Sequence, residues 1–291
     1  MLARIAGTGS YLPEAAADPA PVVGEVASDF ALAASCRALR DAGSRSADVD
    51  CVVWATQAAD YDAPGTACLL AAKLGRGGIP AFDVRGGTSG FLYGLAVADH
   101  FVRLGTYRAV LVAAGESVPP GLDPPPFGGD AALHAADGAG AVLLVPEARE
   151  MRGVLGAGLH TDASIWRPPS RDGAAAGAAW PARRALRREG FRRLREGVDE
   201  ALESCGLSFS DVALFVSNAG SRRVADVLAR RLGIPCGRLY DRLGDPFTAS
   251  VAAVPMSLDD AIRTRRVGRG DIVVLVSVGC AITWAWTVLR L

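Results

Sequence analysis

The apolar positions along the chain fall into two kinds of run. Short stretches dense in Val, Ile, Leu and Ala predict strands at 49–55, 80–84, 109–114, 140–145, 212–217 and 271–276. Between them apolar residues recur at helical spacing and predict helices over 26–42, 66–74, 88–104, 182–204, 222–232 and 248–263. Such alternation predicts parallel or mixed sheets covered by helices. Two of the helices, 88–104 and 248–263, open with SGFLYGLAVA and TASVAAVPMSL, small or apolar all round. Their first turns are expected in the interior rather than on an amphipathic surface.

The pattern repeats. DVDCVVWATQ at Asp48 answers DVALFVSNAG at Asp211, and ACLLAAKLG at Ala67 answers VADVLARRLG at Val224. The long run from Phe82 through the 88–104 helix answers the run from Tyr240 through the 248–263 helix. Each half reads as strand, helix, strand, buried helix, strand, with halves at 1–150 and 151–291 packed intimately enough to behave as one domain. Two equivalent helices between two sheets predict a layered sandwich with the helix N-termini near a shared centre. A buried helix N-terminus offers unpaired N–H groups and a positive dipole end, so Thr88 and the Gly244-Asp245 turn are the natural walls of an oxyanion or thiolate site. Spacing alone favours ordinary helix caps at both places.

Composition narrows the classes. The 291 residues carry 31 basic and 31 acidic side chains, net charge zero, and 50% are hydrophobic, which suits a packed interior and argues against nucleic acid as partner. Lys73 is the single lysine. Cys36, Cys51, Cys68, Cys205, Cys236 and Cys280 show neither CxxC nor a Cys/His ligand spacing, so no metal is expected and the thiols are expected free and buried in a reducing compartment. The N-terminus has no long apolar run and no stretch reaches membrane-span length, so a cytoplasmic protein is expected. Only three histidines exist, His100, His134 and His160. His100 falls on the first buried helix and the other two near strand ends, and all three suit structural roles.

The ordered set GTGSYLP, VWATQ, the PAFDV run into SGF, ADGAGAVLL at Ala136, LARRLG, DRLGD with TAS, and the closing ITWAW resembles the thiolase superfamily, specifically its ketoacyl-ACP synthase III branch. The resemblance covers nearly the whole chain and implies an α/β fold: a five-layered αβαβα sandwich built from an internally duplicated mixed-sheet unit.

It also implies a Cys-His-Asn catalytic set, and here the chain departs. Thr88 stands at or next to the place of the family's nucleophilic cysteine, Asn218 at that of the histidine, and Asp245 at that of the asparagine. A helix end brings a thiol pKa toward neutrality, whereas a threonine hydroxyl needs an adjacent base. In the family the His and Asn donate to a thioester oxygen as it becomes an enolate. An ionised Asp245 would oppose that charge, at a cost of about 4 kcal/mol at 4 Å for an effective dielectric of about 20. The glycine-rich oxyanion loop is matched by Gly279 and Cys280 followed by Ala281 and Ile282, and Ser89 joins these as site wall. Arg85 enters just upstream, either facing the surface or neutralising Asp245 and filling the former site.

Other departures concern partners. The stretch after Leu12-Pro13 is shorter than the family segment that clamps CoA, which argues against CoA binding, and no cofactor is expected beyond an acyl-CoA or acyl-ACP phosphopantetheine thioester as substrate. Arg222, Arg223, Arg230 and Arg231 fall where the family presents basic residues to its acyl carrier protein, or form a solvated face. Seven arginines between 183 and 195 predict a charged outer face over an apolar stripe, and 166–179 a flexible loop over the site mouth. Family members dimerise through the strand at 80–84. Two functions follow from the resemblance: a catalytically degenerate subunit in a homodimer, or in a heterodimer with an active paralogue, or an acyltransferase using Thr88 or Ser89.

Overall fold

The computed structural model describes residues 1–13, 26–117, 138–148, 151–164, 183–218, 222–235, 237–240, 251–279 and 282–291, without side chains at 183–187 and 222–224. Two five-stranded sheets share one topology. The first contains β1 (Leu2–Tyr11), β2 (Cys51–Ala55), β3 (Ala81–Val84), β4 (Val110–Glu116) and β5 (Gly138–Glu147), in the order β1-β5-β4-β2-β3. The second contains β6 (Gly153–Thr161), β7 (Val212–Ser217), β8 (Leu239–Tyr240), β9 (Ile272–Gly279) and β10 (Thr283–Arg290), in the order β6-β10-β9-β7-β8. In each, the three strands farthest from the leading strand run parallel and the others pair antiparallel. The duplication read from the sequence is therefore a duplication of sheet topology.

Strand alternation sends side chains to two different cores. On β2 and β4, Cys51, Val53, Val110 and Val112 face the central layer, while Val52, Trp54 and Leu111 face outward. The central core also takes Leu214, Val216, Val273 and Leu275 from the second sheet. It encloses α3 (Gly90–Arg103) and α6 (Ala253–Arg263). The outer face of the first sheet packs α1 (Ala27–Asp41) and α2 (Thr66–Lys73), and that of the second packs α4 (Arg183–Cys205) and α5 (Arg222–Leu232). The result is the five-layer order expected.

β1, β6, β8 and β10 are absent from the predicted strands, and packing explains the first two. β1 and β6 carry glycines that break any apolar alternation. A Cβ at Gly9 would stand 2.2 Å from Ala34 O of α1, and one at Gly158 2.2 Å from the Trp286 indole nitrogen. Those glycines let a helix and a tryptophan lie directly on the strands. The predicted segment 166–179 and His134 lie outside the described residues.

Two expectations are corrected. The thiols are not uniformly buried: Cys51 is, and burial pushes its pKa up to about 11, but Cys36 and Cys68 are exposed. Nor is the α4 arginine face wholly external. Arg192 and Arg195 pair with Glu189, Glu196 and Asp199 on the surface, yet Arg193 is buried, its guanidinium 4.1 Å from the Trp284 ring and in ion pairs with Asp162, Glu189 and Glu196. Its cation rests on an aromatic face where the sequence pattern alone suggested solvent.

Candidate active site

The segment that follows β3 meets the C-terminal ends of β7 and β9 between the halves. Beyond β3 the backbone makes a tight turn, with Ser89 N and Gly90 N donating to Gly86 O and Gly87 O, before α3 begins. The N-cap of α3 is Ser89, in helical conformation and without a side-chain cap bond. Thr88 is therefore not the cap. It lies just ahead of the helix, 7% exposed, with its hydroxyl turned toward the second sheet. The N-terminal ends of the two central helices do meet: a Cβ at Gly90 would stand 3.4 Å from Val251 Cγ2, just ahead of α6.

Thr88 and Asn218 come together. Asn218 follows β7, whose last register pair with β9 is Ser217 with Val276, and its side-chain amide continues that ladder. Its Oδ1 accepts from Val278 N at 3.2 Å, and its Nδ2 donates to Val278 O at 3.0 Å and to Thr88 Oγ1 at 2.9 Å. The Thr88 hydroxyl donates in turn to Val278 O at 2.8 Å. Both amide hydrogens, the amide oxygen and the hydroxyl hydrogen are thus spent inside the protein. Ser277 Oγ donates to Thr88 O at 3.0 Å, and Thr283 Oγ1 to Gly86 O at 2.8 Å, tying the turn to β9 and β10.

Gly279 lies where the backbones approach most closely. A Cβ there would stand 2.4 Å from Thr283 Oγ1, 3.0 Å from Gly86 O and 3.1 Å from Thr88 N, so no other residue fits without displacement. Ser89 is fully buried, its hydroxyl 3.4 Å from Thr283 O.

Not every expected wall residue joins this cluster. Arg85 is exposed at the end of β3, apart from the buried groups around Thr88. Asp245 and Cys280 lie outside the described residues. Arg230 and Arg231 are exposed on α5, Arg231 with its guanidinium 5.6 Å from the Phe191 ring, while the side chains of Arg222 and Arg223 are not described. Among the described residues, no imidazole, carboxylate or amine bonds to Thr88. His100 Nδ1 engages Ala96 O at 2.7 Å, and His160 lies 2.7 Å from Glu200 and stacks on Trp284.

Sequence reasoning left Ser277 and Thr283 unassigned. A lone polar residue inside the apolar run IVVLVSVG, and a threonine at the head of ITWAW, were the available signals. Among the described residues no group of side chains could hold a metal ion, and no helix is long and apolar enough to cross a membrane.

Residues 82–163 match the profile of 3-oxoacyl-[acyl-carrier-protein (ACP)] synthase III, and residues 202–291 that of its C-terminal part. A beta-ketoacyl-[acyl-carrier-protein] synthase III of Xylella fastidiosa is 34% identical over 323 aligned positions, covering 100% of this chain and 98% of the relative. The crystal structure of 3-oxoacyl-[acyl-carrier-protein] synthase III from Aquifex aeolicus superposes with a TM-score of 0.86 at 26% identity, covering 99% and 100% of the two chains. The priming beta-ketosynthase of the R1128 polyketide pathway shares the fold at a TM-score of 0.83 and 24% identity, covering 99% and 96%. With both profiles matched and the whole length aligned, the chain belongs to the 3-oxoacyl-[acyl-carrier-protein] synthase III family, on a thiolase-like fold.

Proposed function

We propose that this family member performs no acyl transfer of its own and serves as the partner subunit of an active synthase of the same fold. The names of its relatives support a setting in fatty-acid or polyketide-type biosynthesis. The closed circuit of Thr88, Asn218 and Val278 carries the reading. A hydroxyl becomes a nucleophile when a base accepts its proton. The Thr88 proton points at a peptide carbonyl, and the neighbouring amide of Asn218 takes no proton and has no donor left for an oxyanion.

The exposed Arg230 and Arg231 support retention of a docking face for an acidic acyl carrier protein, and strand β3, at the edge of its sheet, supports pairing with a second subunit. The alternative, acyl transfer from a CoA or carrier thioester through Thr88 or Ser89, requires one of these engaged hydroxyls to be released.

Intact mass spectrometry after incubation with acetyl-CoA, and separately with an acyl-ACP, distinguishes the two. No adduct is expected. A stable acyl adduct on Thr88 or Ser89 overturns the proposal in favour of an acyltransferase. Co-expression with a Cys-His-Asn paralogue is expected to give a heterodimer with activity the paralogue lacks alone. A fully active lone paralogue beside a homodimer of this chain defeats the partner role.

A further inference from the structure

The central layer contains two buried carboxylates, Asp99 on α3 and Asp259 on α6, whose side chains are 5% and 2% exposed. Each faces an arginine four residues later on its own helix. Arg103 Nε donates to Asp99 at 2.8 Å, and Arg263 Nε lies 2.9 Å from Asp259 Oδ1. Such a pair satisfies the carboxylate and leaves guanidinium donors over.

Those remaining donors cross between the halves. Arg263, from the second half, donates to Thr8 O of β1 at 2.9 Å, and Arg103, from the first half, donates to Val154 O of β6. β1 and β6 are the leading strands of the two sheets and stand at their edges, where a strand has carbonyls without a ladder partner. Asp259 reinforces its side by accepting from Thr8 Oγ1 and Ser10 Oγ, both at 2.6 Å.

We propose that Arg103 and Arg263 are reciprocal clasps, each locking the buried helix of one half onto the leading strand of the other, with Asp99 and Asp259 as their positioning residues. The contact between Thr88 and Asn218 also spans the halves, so the clasps hold it in register from the far ends of the two helices. This inference stands whether or not the chain is catalytic.

Hydrogen exchange read by mass spectrometry on the full chain tests it, comparing wild type with Arg103→Met, Arg263→Met and the double variant. Arg103→Met is expected to speed exchange about tenfold in β6 as well as α3, and Arg263→Met in β1 as well as α6. The double variant is expected to expose the Val278 amide, which is bonded to Asn218. Acceleration confined to the helix that carries the substitution, or uniform across the chain, overturns the proposal. Should the Met variants not fold, Arg103→Lys and Arg263→Lys keep the charge but lose the forked reach, and faster exchange in the opposite leading strand is still required.

Discussion

Asn218 Nδ2 donates to Thr88 Oγ1 at 2.9 Å, joining the two halves of the chain. The same nitrogen also reaches Val278 O at 3.0 Å, so the contact belongs to a sealed network. A network of this kind contributes to stability, and its removal has a measurable cost.

Thr88→Val keeps the shape and deletes the hydroxyl. One amide hydrogen of Asn218 is then unpaired in a largely buried place, and a loss of about 1–2 kcal/mol is expected by urea denaturation. An unchanged midpoint would mean that water replaces the bond.

Gly279→Ala puts a methyl group within 2.4 Å of Thr283 Oγ1 and against the backbone of Gly86 and Thr88. The hydroxyl can rotate away but the backbone atoms cannot, so about 2 kcal/mol of destabilisation is expected. Adding Thr283→Ala, which deletes the crowded hydroxyl, in a double-mutant cycle checks the cause. The second change should recover little if backbone crowding dominates.

Asp99 sets a pH dependence of known sign. Burial holds its carboxyl above the usual aspartate range, with the Arg103 hydrogen bond and charge and the His100 charge opposing the rise. In the window between the ordinary and the raised value, the folded state binds more protons than the unfolded state. The stability contributed by this group therefore falls as pH rises through that window. Asp99→Asn should flatten this part of the stability profile in calorimetry across acid pH. A profile that keeps its slope would place the origin elsewhere.

Arg193→Met removes the cation shared by Asp162, Glu189 and Glu196, leaving Arg192 on the two glutamates, and removes the guanidinium from the Trp284 face. Because two of those carboxylates are partly exposed, with side chains at 34% and 40%, a cost of about 2 kcal/mol is expected, below that of a fully buried pair. Arg193→Lys should restore only a fraction, since a point charge reproduces neither the fork nor the stacking. Full rescue by lysine would reduce the site to simple charge balance.

Short-range physics made much of this protein legible in its sequence. Dense apolar runs at β2, β4 and β7, all-round apolar helix openings at α3 and α6, and the repeated order of elements each express local burial, which the order of residue types records directly. An apolar helix opening brought Thr88 forward, and the family resemblance brought Asn218. Tertiary structure decided what those side chains do. Whether Thr88 caps a helix, faces a substrate or bonds to Val278 depends on β9, 190 residues away in the chain. The glycines of β1 and β6 look like strand breakers until α1 and Trp286 are seen resting on them. Arg193 reads as surface charge until Trp284 and Asp162 arrive from other elements. Local pattern determines which face of an element is buried; the partners met by its polar groups are set by packing between distant segments, which no local pattern records.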